Sequence, residues 1–108
     1  MQNPLQASRT VRIIEAERQL LASLCQHVLE SGIYDSIVQR LTTHTFLDPE
    51  HEIIFLALTK LPRGNSQDRR AALGAVLTRL GFPDYDLEPF FSAPVIPAEQ
   101  LQSVLQAL

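Results

Sequence analysis

The chain has 108 residues, 45% hydrophobic and 19% charged, with a net charge of −3. That is the size and balance of one globular domain spanning 1–108, with no room for a second and too little charge for a disordered tail. A mild acidic excess also argues against a domain whose main partner is a phosphate backbone, because such domains carry a basic surplus or stripe, so direct nucleic-acid binding is not the expected activity.

Leu and Ala dominate, Trp is absent, and only four Gly and two Tyr occur, which is a helical palette. No run alternates regularly in the way a half-buried strand requires. The expected fold is all-α, a compact orthogonal bundle of five or six short helices, since unequal helices of two to four turns suit layered packing better than an up-down bundle.

Taken in chain order, residues 1–13 read as a loose arm or extended lead-in. Over 15–30 the apolar positions Leu20, Leu21, Leu24, Cys25, Val28 and Leu29 form a wide helical stripe, which Ser31-Gly32 is expected to stop. A second helix over 33–41 places Ile33, Tyr34, Ile37, Val38 and Leu41 on one face, followed by a loop over 42–47. Asp48-Pro49-Glu50 is the strongest local signal. Asp accepts from free amides as N-cap, Pro at N1 already has the helical φ, and Glu suits the positive end of the dipole. The helix it starts is apolar almost all round through Ile53, Ile54, Phe55, Leu56, Ala57, Leu58 and Leu61, and is expected to be central, ending at Pro62, Gly64 and Asn65.

Asn65 or Ser66 caps a fourth helix with the stripe Leu73, Val76, Leu77 and Leu80, closed by Gly81 as a C′ residue. Phe82-Pro83 turns the chain, and Asp86 caps a short turn holding Leu87, Phe90 and Phe91. Pro97 at N1 opens the last helix, where Leu101, Val104, Leu105 and Leu108 follow the i, i+3, i+4, i+7 pattern. That stripe closes the core, or, if the core is complete without it, is an exposed patch for a partner helix or a second copy of the chain.

Cys25 cannot form an internal disulfide, and the first ten residues lack the pattern of a secretory leader, so a cytoplasmic location is expected. The densest apolar stretch, 53–61, is interrupted at Thr59 and Lys60 and falls well short of the ~18 residues of a membrane span, so no membrane partner is expected.

Residues that carry chemistry elsewhere do not assemble into a catalytic set. His44, Asp48 and His51 lie close in sequence, but a zinc-binding helix needs a second His four residues after the first, and position 55 is Phe. Asp48 serves better as a cap, and the two histidines read as an ordinary surface pair. Cys25 and His27 point to different sides of a helix, and Cys25 reads as a small core hydrophobe. Asp84, Asp86 and Glu88 alternate like a calcium loop, yet Pro89 stands where such a loop needs Gly. Gly74, costly inside a helix, marks a close helix–helix approach. No cofactor, no metal and no enzymatic activity is expected. Lys60, Arg63, Arg69, Arg70 and Arg79 make a small basic face without interleaved aromatics. It reads first as a solvated helix face and loop; docking an acidic protein partner is the functional reading, and a small helical nucleic-acid-binding domain using Arg63 to Arg79 is the alternative.

The segments Ala16-Glu17-Arg18-Gln19-Leu20-Leu21, 33–41, and Phe46-Leu47-Asp48-Pro49-Glu50-His51-Glu52-Ile53-Ile54-Phe55 together resemble the N-terminal domain of DnaB-type replicative helicases and the similar helicase-binding C-terminal domain of DnaG-type primases. The pattern is an "AE…LL" helix, a short helix, a Phe-x-Asp-Pro-x-His step and an Ile-Phe helix. The resemblance implies an all-helical interaction module without catalytic residues, which self-associates in the helicase and docks onto the helicase in the primase. It covers about 14–92. The family's module continues into a long helical hairpin, whereas 94–108 supply at most one helix. Met1 favours an independent chain over an excised domain. The expected function is a protein–protein interaction module linked to DNA replication, with a replicative helicase, a primase or a second copy as partner. Its candidate contact residues are Arg63, Arg69, Arg70, Leu101, Val104, Leu105 and Leu108.

Overall fold

A computed structural model describes residues 4–26, 31–61, 66–94 and 96–108, with side chains left undescribed at 4–7, 31, 66–68 and 98. These residues form six helices and no strand, in the order α1 (Pro4–Gln26), α2 (Ser31–Thr43), α3 (Pro49–Leu58), α4 (Ser66–Arg79), α5 (Glu88–Phe91) and α6 (Ala98–Gln106). Val28, Leu29, His27, the 62–65 connection and Arg63 lie outside the described residues.

The core is organised around α1, which packs against each of the other five helices. Ala16, Leu20, Leu21, Ala22, Leu24 and Cys25 are all buried, so the second half of α1 is covered on nearly every side. This overturns the expectation that α3 is central. Ile54, Phe55, Ala57 and Leu58 of α3 are buried, but Leu56 is 49% exposed, so α3 keeps one face in water. Tyr34, Ile37 and Leu41 from α2, Leu73 and Leu77 from α4, Leu87 and Phe90 around α5, and Leu101 from α6 complete the cluster.

Helix α1 starts at Pro4, so residues 4–13 are helical where a loose arm was expected. The β-branched Thr10, Val11, Ile13 and Ile14 lower the intrinsic propensity, but helix formation is limited by its nucleus. Once the buried half of α1 is formed, each upstream residue adds a hydrogen bond at little cost. Ser31 and Gly32 begin α2 rather than stop α1. A Gly in the first turn breaks no ladder of bonds, since the first N–H groups of a helix have no internal acceptor. Helix α2 also runs two residues beyond Leu41, to Thr43.

The cap of α3 matches the sequence. Asp48 has φ −100° and ψ 116°, its side chain accepts from the Glu50 N–H at 2.9 Å, and Pro49 follows at N1. The end of α4 is a Schellman turn: the Phe82 N–H donates to the Leu77 carbonyl at 2.8 Å, the Gly81 N–H donates to that of Thr78 at 3.1 Å, and Gly81 takes φ +98°. Asp86 accepts from the Glu88 N–H at 3.1 Å, although the N-cap position of α5 belongs to Leu87. Pro97 is the N-cap of α6 and not its first helical residue, because its ψ of 145° is extended. The close helix approach expected at Gly74 is absent, for a methyl built there meets nothing within 4 Å.

Candidate interaction surface

Glu17 is fully buried on α1 between Ala16 and the core leucines and is the centre of a polar cluster. Its Oε2 accepts from the Leu47 N–H at 2.8 Å and faces His44 Nε2 at 2.7 Å. Its Oε1 faces His51 Nδ1 at 3.0 Å and accepts a longer bond from the Asp48 N–H at 3.4 Å. A carboxylate only accepts, so the imidazole protons sit on His44 Nε2 and His51 Nδ1. His51 Nε2 stands 3.6 Å from the Asp48 carboxylate. Aromatic edges close the cluster: Phe46 packs at 5.2 Å from the His44 ring, and Phe90 lies 6.1 Å from that of His51.

This arrangement corrects the reading of the histidines as surface residues. His51 is 5% exposed, and the His44 side chain is 8% exposed. It also explains why the two quoted motifs, some thirty residues apart, belong together: the Glu of "AE" takes up the orphan amides and the histidine of the Asp-Pro-x-His step. The sequence did carry a signal for this. Glu17 shares a face with Leu20, Leu21 and Leu24, and His51 shares one with Ile54, Phe55 and Leu58, so both polar groups lie on apolar stripes. Among the described residues no cluster of His, Cys, Asp or Glu is arranged to hold a metal.

Two adjacent arginines have opposite fates. Arg69, expected at the surface, is 2% exposed. Its guanidinium donates to the Leu24 and Cys25 carbonyls at 3.0 and 3.4 Å and to the Tyr34 hydroxyl at 2.7 Å. Those carbonyls belong to the last turn of α1, where four C=O groups lack helical partners, so Arg69 caps α1 from α4 and is not presented to a partner. Gln26 secures the same end by donating to the Phe90 and Ala93 carbonyls at 3.2 and 2.8 Å. Arg70 stays at the surface, pairs with Glu88 at 2.8 Å and lies over the Phe91 ring. Among the described residues, Arg69 is internal and Arg70 is paired with Glu88, which takes two of the expected cations out of the basic face.

The four stripe residues divide, and Leu108, expected in the last helix, lies beyond its end at Gln106. Leu101 is 2% exposed, while Val104, Leu105 and Leu108 are partly buried against the core. Cys25 is fully buried, and burial pushes its thiol up to about 12 against the opposing charge of Arg69. Tyr85 is raised to about 12 by burial and by donating to the Glu50 carboxylate at 3.1 Å. No helix among the described residues is long and apolar enough to cross a membrane.

Between α1 and α6 runs an open groove of about 460 Å³, floored by Val11, Ala16, Val104 and Ala107 and edged by Arg12 and Glu15. Val11 is 66% exposed.

The family of DnaB-like helicase N-terminal domains matches residues 10–79, which run from α1 through α4. No curated protein matches the chain, and no solved structure does. With 10–79 covering well over half of its length, the chain belongs to the DnaB-like helicase N-terminal domain family.

Proposed function

We propose, from that membership, that the chain is a non-enzymatic protein–protein interaction module of DNA replication, working in the cytoplasm by docking onto a replicative helicase, a primase or a second copy of itself. The observation that carries this reading is the match over 10–79 to a family of helicase N-terminal domains. The fate of the polar side chains supports it. Glu17, His44, His51 and Arg69 are spent on holding loops and helix ends, and the Cys25 thiol is buried and held protonated. The half-buried Val104 and Leu105 of α6, Leu108 just beyond it, and the α1–α6 groove are among the surfaces suited to docking.

Immobilised chain, incubated with purified replicative helicase and with primase, is expected to retain one of them or to self-associate in light scattering. A strict monomer that retains neither refutes the replication reading.

A further inference from the structure

We infer that the α1–α6 groove is the seat of an acidic amphipathic helix supplied by a partner protein. The inference rests on the docking reading above and gives that reading a surface and a partner chemistry. One wall, α6, lies beyond residue 79 and therefore outside the segment matched by the family, so family membership by itself does not indicate this surface.

Shape comes first. The groove follows α1 from Val11 to Gln19, nine residues and therefore about 12 Å of helix at 1.5 Å rise per residue. That length accommodates roughly two turns of a helix laid alongside, with apolar anchors at i, i+3 or i+4, and i+7. The floor is aliphatic, and Val11 is the most exposed large hydrophobic side chain among the described residues. Convergent buried polar groups, which orient a small polar ligand, are not part of the lining.

Charge then selects the occupant. Before Glu15 the chain holds Arg9 and Arg12 and no acidic residue. The two arginines are three apart on α1, hence neighbours on one face, and both are exposed. Among the described residues neither makes an ion pair, whereas the carboxylate of Glu15, on the same rim, is taken by Arg18. Of the two charged residues that line the groove, Glu15 is paired and Arg12 is not, with Arg9 one turn before it on α1, so the uncompensated charge at this end is positive although the whole chain is negative. A helix with acidic residues flanking its apolar stripe complements floor and rim together.

The test titrates isotope-labelled chain with two synthetic helical peptides that share a leucine stripe, one flanked by Glu and the other by Lys. The Glu peptide is expected to shift the resonances of Val11, Ala16, Val104 and Ala107 saturably and to bind at least tenfold more tightly than the Lys peptide. Its affinity is expected to drop at least tenfold in Val11→Asp and in Arg9→Glu/Arg12→Glu, variants at exposed positions whose folding is checked by circular dichroism. Equal affinity for both peptides, no binding of the Glu peptide, shifts that map elsewhere, or a concentration-dependent dimer that protects the groove each overturn the proposal. Repeating the helicase and primase capture with Val11→Asp separates the two readings. Capture that survives this substitution sinks the groove and leaves the docking function standing. Binding of the Glu peptide without capture of either protein supports the groove and sinks the replication partners.

Discussion

Replacing Glu17 by Ala removes the acceptor on which the loop between α2 and α3 is built. Three of its contacts are short, at 2.7, 2.8 and 3.0 Å, and the fourth, at 3.4 Å, adds little. Hydrogen bonds to a charged group contribute about 1.5–3 kcal/mol each, so three of them amount to at least ~4 kcal/mol before relief of the carboxylate's own desolvation. The net loss is expected at about 3–5 kcal/mol, the range for breaking a buried charged pair, against a total stability of roughly 5–15 kcal/mol for a domain. Urea unfolding followed by circular dichroism measures it. Glu17→Gln retains one acceptor oxygen and is expected to lose about half as much. Amide exchange gives an independent readout, because among the described residues the Leu47 N–H donates to this carboxylate and should exchange faster in Glu17→Ala, which leaves it no acceptor there. His44→Ala should add less destabilisation in the Glu17→Ala background than alone, since the two share one interaction. A loss below ~1 kcal/mol in Glu17→Ala with unchanged Leu47 protection would refute the idea that this cluster holds the loop.

Four further outcomes follow from the geometry. Arg69→Ala is expected to lose about 3 kcal/mol by uncapping α1, whereas Arg70→Ala, which breaks an exposed pair, should lose under ~0.5 kcal/mol; comparable losses in thermal or urea melts would contradict the assignment of Arg69 to the interior. Gly74→Ala should stabilise by about 0.5–1 kcal/mol, because the added methyl meets nothing, while Gly81→Ala should destabilise by about 1–2 kcal/mol at its φ of +98°. Cys25 should resist thiolate-directed alkylation until the chain unfolds. Its folded value of about 12 exceeds the ordinary 9.0, so the associated stability is complete below pH 9.0 and is lost as pH rises toward 12, a slope that Cys25→Ala should reduce in alkaline unfolding. Leu101→Ala should cost about 2–5 kcal/mol if α6 closes the core, and a variant as stable as the parent would make α6 an attachment instead.

Local chemistry sufficed wherever the determinant lay within a few neighbours. The Asp48-Pro49 cap, the Gly81 turn and the helical periodicity of α2 and α4 depend on backbone dihedrals and i, i+4 spacing, which a linear reading contains. The motif order that places the chain in its family is likewise a string of caps and stripes. Tertiary structure decided what depends on partners distant in sequence. An apolar stripe shows which face of a helix is buried but not how many neighbours will cover it, so α1 and not the more uniformly apolar α3 became the centre. A polar residue on such a stripe is ambiguous until its donors or acceptors arrive, which is why Glu17 and His51 gained their roles only when α3 met α1, and Arg69 left the expected basic face to cap α1 from α4. The groove between α1 and α6 belongs to this second class. It is written in neither helix alone, because its lining comes from residues 11–19 and residues 103–107 together.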